Sequence, residues 1–150
     1  MDSENKLLGW REWVLFPELG LPRIKAKVDT GARTSCLHAF EVEKFRHNDS
    51  DWLRFKVHTY KKNDEEVITC EASVHDVLVV TDSGGHAEER FVIKSRIEIG
   101  SWTDDIEITL TARDSMKFRV LLGRTAMQQG NFLVNPSLSY LQGKKKKAHR

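Results

Sequence analysis

The chain has 150 residues, a formal net charge of +2, 39% hydrophobic and 31% charged residues. That length closes one hydrophobic core without help from metals or disulfides, and the balance is that of an ordinary globular domain. No segment approaches the ~18 apolar residues of a membrane-spanning helix. The start, MDSENKLLGW, is polar and acidic, so no signal peptide is expected.

The charge is uneven. The run GKKKKAHR carries Lys144, Lys145, Lys146, Lys147 and Arg150 without an acid, and the rest of the chain without those five charges stands at −3. A mildly acidic body is poor evidence for nucleic-acid binding, which needs a basic footprint, and no DNA partner is expected. Residues 143–150 read as a solvated, disordered basic tail or as an electrostatic tether to an acidic partner. Residues 1–9 read as an N-terminal extension and 10–142 as one domain. Cys36 and Cys70 are far apart in the chain with no pairing pattern, which predicts a reduced, cytoplasmic setting.

In chain order, WREWVLF (10–16) is rich in aromatic and β-branched residues and stops at Pro17, with Gly20 and Pro22 marking a turn. RIKAKV (23–28) alternates charged with apolar side chains, the period of a half-buried strand. DWLRFKVHTY (51–60) places Leu53, Phe55 and Val57 on one face, and Lys61 to Asp64 form a predicted hairpin turn into VITCEASV (67–74). VLVV (77–80) is a short strand, and Asp82-Ser83-Gly84-Gly85 a turn. The returning arm ERFVIKSRIEIG keeps no strict face, which predicts a bulge or bend in it. DIEITLTA (105–112) alternates again, and FRVLLG (118–123) follows. RTAMQQ (124–129) is a helix of two turns at most, ending at Gly130. A last strand in NFLVNPSLSYL is broken by Pro136. Many short strands and one helix predict an all-β barrel or sandwich.

The tripeptide Asp-Thr/Ser-Gly occurs twice, at Asp29-Thr30-Gly31 and at Asp82-Ser83-Gly84, so by itself it decides nothing. The first copy follows a predicted strand directly. Gly31 lets backbone amides turn towards the carboxylate, and Thr30 offers a hydroxyl to a neighbouring loop. Much later Leu121-Leu122-Gly123-Arg124 sets an apolar pair before a glycine and the short helix.

With these parts in this order, Asp-Thr-Gly-Ala at 29–32, Gly-Gly at 84–85, FVIKSRIEI at 91–99 and LLGRTAM at 121–127, the chain resembles the retropepsins, the retroviral-type aspartic proteases. The resemblance is closer still to a bacterial family that carries the name ATP-dependent zinc protease, the RimB type, through GWREWVLFPELGLPRIKAKVDTGARTSCLHA and VLLGRTAM…FLVNPSLSYL. It implies a closed six-stranded acid-protease barrel with one short C-terminal helix.

The name fits the residues poorly. There is no H-E-x-x-H, the six histidines (38, 47, 58, 75, 86 and 149) are scattered, and Cys36 with His38 falls short of the three or four ligands of a zinc site. No phosphate-binding G-x-x-x-x-G-K-[ST] is present. Neither metal nor nucleotide is expected as a cofactor. A zinc peptidase stays as the weakest reading, and a non-catalytic module regulating a glutamate ligase as the stronger alternative.

Aspartic proteolysis needs two adjacent carboxylates sharing a proton. Asp29 is one candidate. Asp82 is a poor second, because it lies only 53 residues on and lacks its own apolar-apolar-Gly strand. The resemblance implies instead a two-fold homodimer in which each subunit supplies Asp29, Thr30 and Gly31. Asp82, Ser83, Gly84 and Gly85 then tip a hairpin that closes over the substrate. Ala32, Arg33 and Arg124 lie near the cleft, where a guanidinium grips substrate carboxylates or an ion pair at the surface. The RimB resemblance implies a ribosome-modification setting in which a ligase adds glutamates to a ribosomal protein, and a substrate drawn from such poly-glutamate tails. The 94 residues from Asp29 to Gly123 exceed a compact retropepsin, and the excess around residues 40–75 predicts an added hairpin.

Overall fold

The computed structural model describes residues 6–60, 65–81, 84–112 and 118–143. Among the described residues the chain is mostly β with one short helix. Its strands are β1 (Lys6–Leu8), β2 (Arg11–Val14), β3 (Ile24–Val28), β4 (Ser35–His38), β5 (Phe40–His47), β6 (Ser50–Tyr60), β7 (Glu65–Ser73), β8 (Asp76–Thr81), β9 (Ala87–Ile99), β10 (Trp102–Thr111), β11 (Val120–Leu122) and β12 (Phe132–Val134). A 3-10 turn at Pro17–Leu19 follows β2, and the helix α1 is Arg124–Gln129, the span the sequence predicts.

Seven strands form one sheet in the order β2-β3-β11-β4-β10-β9-β8. The pattern at its centre positions the candidate site. β3 and β4 are consecutive in the chain but not neighbours. β11, some ninety residues later, lies between them, parallel to β3 and antiparallel to β4. The β3–β4 connection therefore straddles the end of β11.

Among the described residues the expected closed barrel is not found. The ladder has two ends, β2 and β8. Leu15, just after β2, exchanges two backbone hydrogen bonds with Glu98 of β9 (3.0 and 2.8 Å). That contact stays a single bridge, because Pro17 brings no N–H to extend it and the chain turns into the 3-10 segment.

The added material folds as a sheet of its own, β5-β6-β7, one strand more than a hairpin. Leu53, Phe55 and Val57 alternate along β6 and are fully buried. They join Val14, Ile24, Leu37, Ile93, Ile97, Ile106, Ile108 and Leu122 of the large sheet in one hydrophobic cluster. The bulge expected in β9 is absent: the β9–β10 register runs unbroken from Ile99↔Trp102 to Val92↔Thr109. Successive Val92 and Ile93 are both buried, because β9 is covered on both faces there. A register shift occurs instead in β5, between Phe40 and Glu43, where Glu41 takes a positive φ of 50°. The predicted turn at 61–64 and the basic tail from residue 144 lie outside the described residues.

Cys70, opposite Phe55 on β7, is 2% exposed, and burial pushes its thiol up from the ordinary 9.0 to about 11. Folding thus holds the proton more tightly than the unfolded chain does. This contribution to stability is complete below pH 9 and is lost as pH rises towards 11. Denaturation midpoints measured across that window fall in wild type, and the part of the slope due to this thiol is expected to vanish in Cys70→Ala.

Candidate active site

β3 ends at Val28, whose N–H donates to the Trp10 carbonyl at 2.8 Å. The next residue, Asp29, donates its own N–H to the Leu122 carbonyl of β11 at 2.9 Å. The turn then folds on itself. Ala32 N–H reaches the Asp29 carbonyl at 3.2 Å, and Gly31 N–H reaches Asp29 Oδ1 at 3.0 Å. Gly31 is used here for room rather than for a left-handed backbone, since a Cβ at this residue would stand 3.3 Å from Asp29 Oδ1. Asp29 is half-buried, while Thr30, Gly31 and Arg33 are exposed.

The far side of the turn is tied to the start of α1. The N–H groups of Arg124 and Thr125, orphans of a first helical turn, donate to the carbonyls of Ala32 (2.8 Å) and Arg33 (3.0 Å). Arg124 Nη1 donates to the Thr30 carbonyl at 3.0 Å. Gly123 N–H donates to Ser35 Oγ at 2.9 Å, a buried bond. Two segments distant in sequence, Trp10 and residues 122–125, thus fix one loop. It presents a carboxylate at a strand end, with the Thr30 side chain beside it in solvent.

Of the residues singled out in the sequence, Asp29, Thr30, Gly31, Ala32, Arg33 and Arg124 are brought together. Arg124 pins the loop with one of its guanidinium nitrogens. Gly84 and Gly85 sit at the tip between β8 and β9, on the sheet's far edge, and Gly85 uses its φ of +87°. Asp82 and Ser83 lie outside the described residues.

One contributor, Ser35, escaped sequence reasoning, and so did the physical role of Gly123. Ser35 reads as one hydroxyl among several, yet it is fully buried and caps Gly123. Gly123 stands in the sequence as the glycine of Leu121-Leu122-Gly123-Arg124, and the structure adds why no side chain fits there. A Cβ there would lie 2.6 Å from the Thr34 carbonyl carbon, 2.8 Å from its oxygen and 2.9 Å from Ser35 N. All three are backbone atoms that no rotamer change relieves. Gly123→Ala is therefore expected to push the loop off β11 at about 1–3 kcal/mol, read as a lowered urea midpoint together with reduced activity.

The zinc implied by the family name finds no fitting donor set. Cys36 is half-buried and His38 buried on β4. Among the described residues no three His, Cys, Asp or Glu side chains gather to hold a metal ion.

The inserted central strand and the braced Asp-Thr-Gly-Ala loop define a retropepsin-like protein. A family model described as RimB-like, retropepsin-like aspartic endopeptidase RimB, matches residues 7–145, and the chain belongs to that family. It is 40% identical over 142 residues to a probable alpha-L-glutamate ligase of Desulfotalea psychrophila, and 43% identical over 144 residues to one of Shewanella pealeana. Each match covers 95% of this chain but only 30% and 31% of the relative, so the chain spans about a third of the length of these curated relatives. The crystal structure of a protein of unknown function from Legionella pneumophila superposes with a TM-score of 0.76 at 26% identity, covering 93% of this chain and 99% of that one.

Proposed function

We propose that the protein is an aspartic endopeptidase, active as a homodimer with one Asp29 per subunit, that trims glutamate-rich tails from a modified ribosomal protein. The observation that carries this reading is the Asp29 loop, a carboxylate held at a strand end by β11, Gly123 and Arg124 with its Thr30 side chain exposed.

In the proposed reaction two Asp29 side chains meet across a two-fold axis and share one proton, because two like charges about 3 Å apart do not both ionise. The charged one takes a proton from a water. That oxygen adds to the scissile carbonyl carbon, while the protonated one gives its proton to the carbonyl oxygen. Collapse of the tetrahedral diol breaks the C–N bond: one hydroxyl returns its proton to the charged carboxylate as C=O re-forms, and the amine leaves with the proton of the other carboxyl group.

Two exposed apolar features support the assembly. On the parallel β1–β12 ribbon Leu7 and Leu133 stand opposite each other, 42% and 53% exposed, a surface suited to a second copy. On the edge strand β8, Val77, Leu78 and Val79 are all exposed, as suits a hairpin that closes on a peptide. Among the described residues no helix is long and apolar enough to cross a membrane. Cys36 and Cys70 stand as thiols outside any disulfide, which favours the cytoplasm.

The ligase names of the relatives support a substrate carrying added glutamates. They also favour a second reading, a non-catalytic module that regulates such a ligase. Mass spectrometry of glutamate-extended peptides incubated with the protein, with and without chelator, separates the readings. Cleavage that survives chelator supports the aspartic mechanism, and loss with chelator supports a metallopeptidase. Intact peptide with a folded dimer supports the regulatory module.

A further inference from the structure

The solvent face of β2 and β3 carries a feature the reaction does not use. Arg11 stands opposite Lys27, and Trp13 opposite Lys25. The Arg11 guanidinium lies between the rings of Trp10 (4.5 Å to the centroid) and Tyr140 (4.9 Å). Trp13 stacks on Tyr140 at 5.8 Å, and Lys25 Nζ lies 5.5 Å from the Trp13 centroid. Lys25 and Lys27 are exposed. Among the described residues no carboxylate pairs with Arg11, Lys25 or Lys27. Glu98, bridged to Leu15 one position further out on this face, is already paired with Arg23 at 3.8 Å. In sequence, the run Lys144 to Lys147 begins four residues after Tyr140. In a chain whose remaining charge is negative, this is a concentrated positive surface.

We infer that this face is a docking surface for an extended acidic polypeptide, an exosite separate from the Asp29 loop. The inference deepens the proposed function and rests on its acidic-substrate reading. Lys25 and Lys27 are alternate residues of a strand, about 6.6 Å apart, the repeat at which same-side carboxylates follow one another in an extended chain. Arg11 is fixed by its two rings and by a hydrogen bond from Nε to Ser139 Oγ at 3.2 Å. A stacked guanidinium held this way keeps its remaining N–H edge for a carboxylate at little entropic cost.

A single-stranded nucleic acid fits less well. It needs free ring faces on which bases stack, and here the faces of Trp10, Trp13 and Tyr140 are engaged by one another and by Arg11 and Lys25. The surface also leads to the right place. Lys27 precedes Asp29 by two residues, and Trp10 holds Val28 through its carbonyl, so an acidic chain bound here is tethered beside the loop.

The test measures binding where cleavage plays no part. Fluorescence anisotropy of a dye-labelled oligoglutamate peptide is followed with full-length Asp29→Asn protein, alone and combined with Lys25→Glu/Lys27→Glu or the milder Lys25→Gln/Lys27→Gln. Both pairs change exposed side chains, and thermal melts check that the fold is kept. Binding should weaken as salt rises and fall about tenfold with the charge reversal, less with the glutamines. Unaltered affinity in the reversed variant, or no binding before it, would overturn the exosite. So would tighter binding of an oligouridylate of equal charge, which would assign the face to nucleic acid. Peptide binding that depends on the lysines, without cleavage by the wild type, would keep the exosite and sink the protease.

Discussion

Asp29→Asn is expected to lower peptide cleavage by about a thousandfold or more, the scale on which a positioned acid–base group acts, while leaving the fold intact. The substitution keeps an Oδ1 that can accept the Gly31 N–H, the 3.0 Å bond that shapes the turn. The Asp29 N–H to Leu122 and the Arg124 bonds to the loop are untouched, because they use backbone atoms of residues 29, 30 and 32. What is lost is the ability to take a proton from water and to share one with a second carboxylate. Thermal melting of the variant should stay within about 2 °C of wild type, as for substitutions that leave packing unchanged. Steady-state cleavage of a glutamate-extended peptide, followed beside the melt, makes the measurement. A variant that cuts at near wild-type rate removes Asp29 from the chemistry and with it the proposed mechanism.

Glu12→Ala is expected to be strongly destabilising. Glu12 is fully buried on β2, an unusual place for a carboxylate. Its oxygens accept three backbone N–H groups: Gly9 at 2.6 Å and Leu141 at 2.9 Å on Oε2, and Gln142 at 3.0 Å on Oε1. These bonds fasten residues 141 and 142 to the chain's first strands, alongside Trp10 N–H to Leu138 and Tyr140 N–H to Arg11. Alanine leaves three donors without an acceptor, at about 4 kcal/mol in total, or a melting temperature lower by about 10 °C for a domain of this size. Glu12→Gln keeps an acceptor and should lose about half as much. A shift below about 3 °C for the alanine variant would mean that water replaces the carboxylate and that the clasp contributes little. Tyr140 belongs to the clasped segment and stacks on Arg11, so loosening the clasp should also weaken oligoglutamate binding.

Both residues were visible in the sequence to different degrees. Asp29 stood out because an Asp-Thr-Gly follows a strand of clean alternation, with Leu121-Leu122-Gly123-Arg124 far downstream. Glu12 did not, because WREWVLF reads as an aromatic strand in which a glutamate looks solvent-facing. Two of its three partners, Leu141 and Gln142, lie about 130 residues away, and no local pattern announces them. Distance in the chain also hid Ser35, whose hydroxyl accepts from Gly123, 88 residues further on. β5 was missed as a strand because EVEKFRH lacks apolar alternation. β5 is an edge strand with a register shift, held by pairing to β6 rather than by burial.

By itself the sequence determined the properties that depend on neighbours along the chain. These are the β-rich class, the position and length of α1, the buried faces of β3, β6 and β10, the Asp29 turn and the family. Each follows from a short-range period, a turn residue or a motif whose order survives in one dimension. Only the tertiary structure decided the rest. It set β11 between β3 and β4, left the large sheet open at β2 and β8, gave residues 40–73 a sheet of their own, and gathered Arg11, Lys25, Lys27 and Tyr140 on one face. These outcomes depend on pairing and packing between segments up to a chain length apart, where many alternatives satisfy the local pattern equally and burial of the shared core selects one.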